Sequence, residues 1–392
     1  MHAPCCRCCM MLLCVLGLFV LHKDDICNFD VALFLQEYWK LVQADAQYEV
    51  SKAIGKYVMI IIFILGTVGN LLSFAVMVQR NMRASSTAFY MASLALADTV
   101  VLLVGCLRRW VVEMFEVDLL NESPAACYIV NFLQYWSFDV AVWILVIMTM
   151  DRVIVVTSPL KAQVYATRRR AAIALIIVLT ACAGINLHFF FTTEYSDNVC
   201  TAKKKHLEFF NSIWSWIDAT VYSFLPFVLL LVMNVVIIVF MGQADRRKRN
   251  MTNQFKIKRS EEQRNTINSR KLTIMLLSIT CAFIILTAPS MVINILREKG
   301  QPYFNLENPK DMAKYILTRQ VSRILLYLNH SINFFLYCIT GSKFRRELSA
   351  MLQCLSARER HRKKTLRMSV ASIAEASMTN LGYSTSFTES SP

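Results

Sequence analysis

Charge is scarce in this chain. Only 18% of its 392 residues are charged and 56% are hydrophobic, whereas soluble domains carry about 25% and about 45–50%. The balance is shifted toward lipid. Glycine (10) and proline (8) are also few, which excludes a collagen-like or low-complexity polymer. Catalytic signatures are missing: there is no Gly-x-Ser-x-Gly, no His-Glu-x-x-His and no Gly-rich phosphate loop. The six His form no i,i+4 pair and the 13 Cys show no complete zinc-site spacing. The chain therefore reads as a non-enzyme with no resident cofactor and no structural metal.

What is present is long apolar sequence. Cys5, Cys6, Cys8 and Cys9 precede the apolar segment 10–21, which is shorter than the ~20 residues of a spanning helix. That segment reads either as a signal-like leader or as an uncleaved tail. Seven longer runs follow, over residues 54–78, 88–110, 125–155, 171–191, 213–241, 272–296 and 315–340. Each reaches bilayer-crossing length. A transmembrane barrel would instead show alternating segments of about ten residues. The expected fold is an all-α membrane protein with a seven-helix domain at 54–340, an N-terminal segment 1–53 and a polar tail. The tail is rich in Ser and Thr from Ser369 onward, a composition that favours disorder over 356–392.

The net charge of +15 follows from topology. More than half of the 42 Lys and Arg sit in the first two connections on one side, the 242–271 loop and the tail. By the positive-inside rule that side is cytoplasmic and the N-terminus is outside. The basic balance then needs no nucleic-acid partner. It suits anionic membrane lipid.

Several residues carry the chemistry. Asp98 lies inside the second run, where an ionisable group is costly and faces the bundle interior. Asn70, Asn329 and Asn333 are polar at similar depth, the last two spaced i,i+4 on one helix face. The four are expected to form one buried polar network. Asp151 and Arg152 close the third run, where the carboxylate can hold the guanidinium until a partner competes for it. From Cys127 to Arg152 is about 37 Å of helix at ~1.5 Å per residue. Cys127 and Cys200 both fall outside, where a disulfide is allowed. Pro226 and Pro289 interrupt the fifth and sixth runs as tolerated bends or as pivots.

Together these motifs resemble the rhodopsin-like G-protein-coupled receptors. The pattern is Gly66-x-x-Gly69-Asn70, Leu94-Ala-Leu-Ala-Asp98, Asp151-Arg152-Val153 with Pro159, Pro226, Phe283 with Pro289, Asn333-x-x-x-Tyr337 and Phe344-Arg345-Arg346, in order on successive runs. The resemblance implies that Arg152 meets a heterotrimeric G protein and that Phe283, Pro289, Asn333 and Tyr337 take part in switching. It implies an allosteric sodium site at Asp98. It also implies a short amphipathic helix over 341–355, anchored by Phe344, with Cys354 as a palmitoylation candidate.

The chain departs from the family in places. Val153 replaces Tyr, Leu286-Thr287-Ala288-Pro289 lacks the aromatic toggle, Phe334 replaces the seventh-helix Pro, Asn234 replaces Tyr and Ala141 replaces the sodium-site Ser. Gln134 in place of Asp argues against an aminergic ligand, and Tyr327 in place of Lys argues against retinal. The sixth-helix motif is similar to that of invertebrate neuropeptide receptors of the FMRFamide and myoinhibitory-peptide kind.

The resemblance thus implies a receptor for an external peptide, with Gln134, Phe138, Trp214, Asp218 and Tyr327 lining the cavity. Glu113, Glu116, Glu194 and Asp197 around the rim would steer a cationic peptide or serve only as solvated loop charge. Asn121-Glu122-Ser123 is an external glycosylation sequon. Ser369, Ser372, Ser377, Thr379 and the Ser and Thr of 384–391 are candidates for a receptor kinase, creating charge that arrestin reads. The competing expectations are a family member with a non-peptide ligand and, outside the family, a secondary transporter. Transporters show internal repeats, and none is visible.

Overall fold

The computed structural model describes residues 27–252, 260–298 and 305–354, with isolated positions up to 369. The leader-like segment, its four cysteines and the tail positions from Ser372 onward lie outside the described residues. The chain divides into two compact units, one ending at Gly341 and one beginning at Ser342.

The first unit is a helical bundle. Helix α1 covers Cys27–Gln43. Helix α2 (Ala46–Met77) is the first span. Helix α3 (Ser86–Val101) runs through a wide π-type turn, Leu102–Leu107, into α4 (Arg108–Phe115) as the second. Helix α5 (Pro124–Thr157) is the third, followed by the short connector α6 (Pro159–Tyr165). Helices α7 (Arg168–Asn186) and α8 (Phe189–Thr192) make the fourth. A hairpin of β1 (Thr193–Ser196) and β2 (Val199–Ala202) follows, antiparallel, with Tyr195 opposite Cys200. A second π-type turn, Phe209–Trp214, leads into the fifth span, which is α9 (Ser215–Asp218) and α10 (Leu225–Thr252), separated by a third, Ala219–Phe224. The sixth is α11 (Ser260–Glu298). Helices α12 (Pro309–Ser331) and α13 (Asn333–Thr340) complete the unit.

Six helices among the described residues are long and apolar enough to cross a bilayer. The seventh run differs for two reasons. Lys310, Lys314, Arg319 and Arg323 make α12 polar at its start, and the break at Ile332 leaves α13 only 8 residues long. The first span also begins earlier than its apolar run. Asp45 caps α2 by accepting from the backbone N–H of Gln47 at 2.8 Å, which starts the helix at Ala46 rather than near residue 54. Pro289 lies inside α11 without ending it.

The packing has a lipid-facing exterior. Ile61, Ile64, Leu65, Val68 and Leu71 of α2 are about half exposed; a contiguous bare apolar stripe of this kind marks a membrane-facing surface. The opposite face of α2 packs inward, with Met59 and Ile62 against Val101, Leu102, Cys106 and Tyr327. Helix α1 adds a small separate cluster, Tyr38 and Val42 against Ile293, Met312 and Ala313. The second unit, described by itself, is helical over 342–354 and exposes Cys354.

Candidate functional site

The polar centre of the bundle is built around the break in the last span. Helix α12 stops at Ser331 and α13 starts at Asn333, so the last carbonyls of α12 lack intrahelical donors. Asn70 supplies one: its Nδ2 donates to the backbone carbonyl of His330 at 2.9 Å. Close approach of the first span makes this possible. A Cβ on Gly66 would lie 2.7 Å from Leu102 Cδ1 and 3.0 Å from Ser331 Cα, and one on Gly69 would lie 2.9 Å from Phe334 Cβ.

Asp98, 1% exposed, is held through both of its oxygens by the same segment. Asn333 Nδ2 donates to Oδ2 at 2.7 Å, and His330 Nδ1 lies 2.7 Å from Oδ1. Three of the four residues expected in this network therefore meet. Asn329 does not join them; it lines a small cavity beside Asp98. Its expected place is taken by His330, which sequence reasoning passes over. The available signal was the one applied to Asp98, an ionisable side chain inside a span.

This arrangement bears on the sodium site that the resemblance implies. A hard cation takes several oxygen ligands. Both Asp98 oxygens already face nitrogen groups. The adjoining cavity measures about 10 Å³, and beyond Asp98, Asn329, His330 and Asn333 its walls are hydrocarbon, Ala141 and Phe283 included. The residues present do not fit a sodium ion.

At the opposite end from the hairpin, Asp151 and Arg152 are both buried. Arg152 Nη2 lies 3.3 Å from Asp151 Oδ2, and Ser86 Oγ donates to that same oxygen at 3.2 Å. The guanidinium is thus folded back onto its neighbour by a carboxylate that the second span holds in place. Phe283 and Tyr337 are buried in the bundle. Two further cross-links were not singled out by the sequence. Thr280 Oγ1 donates to Asn234 Oδ1 at 2.9 Å, joining the sixth and fifth spans. Asn186 Nδ2 donates to the buried Asp139 at 2.7 Å, joining the fourth and third.

At the hairpin end, Cys127 and Cys200 are disulfide-bonded, tying the start of α5 to β2. Asn121 Oδ1 accepts from the backbone N–H of Cys200 at 2.9 Å, and Ser123 caps α5. Arg108 is held by Asp118 through two contacts of 2.8 Å and donates a third hydrogen bond, also 2.8 Å, to Gln134 Oε1. Partial burial pushes the Asp118 carboxyl up. The hydrogen bond and charge of Arg108 and the Leu120 backbone N–H outweigh it, and the group stays below the usual carboxylate range.

The five expected cavity residues separate. Phe138 and Tyr327 meet at 6.1 Å between ring centroids, and Phe138 also meets Tyr222 at 5.5 Å. Gln134 is engaged by Arg108. Trp214 is buried in a different aromatic group, 3.9 Å from the His188 ring and 6.0 Å from Tyr135. Asp218 is part-buried on α9.

Comparison with known proteins agrees with this geometry. Residues 69–337 match the family model for the seven-transmembrane receptors of the rhodopsin family. The chain belongs to that family, the class A G-protein-coupled receptors, and is a multi-pass membrane protein in which α12 and α13 together form the seventh span. It is 25% identical to the thyrotropin-releasing hormone receptor of Gallus gallus over 83% of this chain and 84% of that one. It is 22% identical to a probable G-protein-coupled receptor of Caenorhabditis elegans over 81% of this chain and 74% of that one. It is 24% identical to the FMRFamide receptor of Drosophila melanogaster over 73% of this chain and 51% of that one.

Proposed function

We propose that this G-protein-coupled receptor binds an extracellular peptide at the hairpin end and activates a heterotrimeric G protein at the Arg152 end. One observation carries the reading. A single uninterrupted helix, α5, joins the Cys127 staple to Arg152 and passes Gln134 and Phe138 on the way. A ligand that shifts the outer half of α5 therefore acts on the element bearing the buried Asp151–Arg152 pair.

Relatives named as receptors for thyrotropin-releasing hormone and FMRFamide support a peptide ligand. The positive connections support a plasma-membrane orientation with the hairpin outside and the tail in the cytoplasm. In that orientation Asn121 would be the external glycosylation site, Cys354 would be the palmitoylation candidate, and Ser369 with the serines and threonines of the tail would be candidates for receptor kinase and arrestin.

Coupling follows from differential affinity. An agonist must bind the open bundle better than the closed one, and by linkage the G protein then tightens the agonist by the same factor. The test is nucleotide exchange on a purified G protein, driven by receptor-containing membranes. Arg152→Ala is expected to abolish exchange while the protein still reaches the cell surface. Full exchange by that variant would refute the reading.

A further inference from the structure

A second cavity lies at the hairpin end, between the first, second and seventh spans. Its volume is about 210 Å³, below the ~300 Å³ at which whole-ligand pockets begin, so it is sized for one group of a ligand. None of the five residues expected to bind ligand lines it. Its charged lining is Lys52, Arg109, Arg319 and Arg323 against a single acid, Glu113. Among the described residues none of the four cations forms an ion pair. Like charges drawn around one space repel, and a cleft lined by one sign of charge concentrates the opposite one.

The site is also built. Arg323 Nη1 donates to Gln320 Oε1 at 2.6 Å. Gln320 is buried, with its Nε2 3.5 Å from the Met59 sulfur. Gly55 makes that seat possible, since a Cβ there would lie 2.8 Å from Gln320 Nε2 and 3.1 Å from Glu113 Cγ. The adjacent Arg108 is committed to Asp118 and Gln134, which leaves Arg109 to the cavity. Three guanidinium groups supply the planar paired donors that match a carboxylate. Interface arginines can also snorkel to water as isolated charges, but that account does not explain a buried glutamine seat under Arg323.

We propose that this cavity is an anion subsite that takes a carboxylate of the peptide ligand, an acidic side chain or a free C-terminus. The proposal rests on the receptor reading for the identity of the ligand, but its test does not pass through the G protein.

The probes are two blocked amino acids with their amide counterparts, applied to the purified full-length receptor at equal ionic strength. N-acetylglutamic acid α-amide presents a side-chain carboxylate, and N-acetyl-leucine presents a C-terminal one. Thermal unfolding is followed as each is titrated. One or both acids should raise the midpoint by roughly 1–3 °C at saturation, and their amides should not. The acid that acts identifies the source of the group. The shift should disappear in Arg319→Gln/Arg323→Gln and survive in Lys203→Gln, which lies outside the cavity. If the double variant does not fold, Arg109→Gln on a different helix takes its place with the same expectation. Equal shifts from acids and amides, no shift from either acid, or a full shift in the cavity variants would each overturn the proposal. Nucleotide exchange dependent on Arg152 would be untouched by any of these results, so the two readings fail separately.

Discussion

His330 Nδ1 lies 2.7 Å from Asp98 Oδ1, joining the seventh span to the second across 232 residues of sequence. With Asn333 on the other oxygen, each carboxylate oxygen already has a nitrogen partner, and the rest of the adjoining cavity offers mostly hydrocarbon to a cation. The expected outcome is a receptor indifferent to sodium. Replacing sodium chloride by choline chloride at constant ionic strength should leave both basal nucleotide exchange and the unfolding midpoint unchanged. His330→Ala should destabilise by about 1–3 kcal/mol, the usual cost of leaving a buried polar group short of a partner. A midpoint that climbs with sodium in the wild type would show that the pair opens to admit the ion.

The Asp151–Arg152 contact makes a second expectation. Ser86 steadies the carboxylate, and the carboxylate restrains the guanidinium. Asp151→Asn keeps the shape and removes the charge. Losing a charge-assisted contact costs about 1.5–3 kcal/mol, so ligand-independent nucleotide exchange should rise by roughly tenfold or more. Unchanged basal exchange at equal receptor density would mean that the contact does not restrain Arg152.

These two sites also show what the sequence reveals and what it hides. The spans are legible because bilayer thickness imposes a length on apolar sequence. Asp98, Asn70 and Asn333 are legible because each is polar where lipid surrounds the helix. Asn329 misleads, because Asn329 and Asn333 share one face only of a continuous helix, and α12 ends between them at Ser331; His330 carries the same signal as Asp98 and is passed over. The early start of α2 is hidden because Asp45, Gln47 and Glu49 read as a polar connection, although Asp45 is itself a cap signal. The π-type turns before α4 and α10 leave no mark in composition. The basic cavity is invisible in the sequence, since Lys52, Arg109, Arg319 and Arg323 are brought together only by the bundle.

The contact between the first and seventh spans depends on missing side chains. Gly66→Val would drive a branched group into Leu102 and the Ser331 backbone. Overpacking of this kind costs about 1–3 kcal/mol. It should also pull Asn70 away from the His330 carbonyl. The thermal midpoint should fall, while Gly184→Ala, where an added Cβ meets nothing within 4 Å, should leave it nearly unchanged. Equal midpoints for the two variants would contradict the close packing.

The last expectation concerns acid. Asp118 sits outside the spans with its carboxyl below the usual range, because Arg108 and the Leu120 backbone N–H favour the ionised form beyond the cost of burial. A group whose folded value is depressed contributes its full stability above its unfolded value, near pH ~4. That contribution disappears as pH falls through the lower folded value. Protonation would loosen the bidentate grip on Arg108 and with it the hydrogen bond to Gln134. Unfolding midpoints measured from pH 6 down to pH 3 should therefore fall more steeply for the wild type than for Asp118→Asn, with the gap between them closing at the acid end. A gap that stays constant over the whole range would place the acid sensitivity of the protein elsewhere.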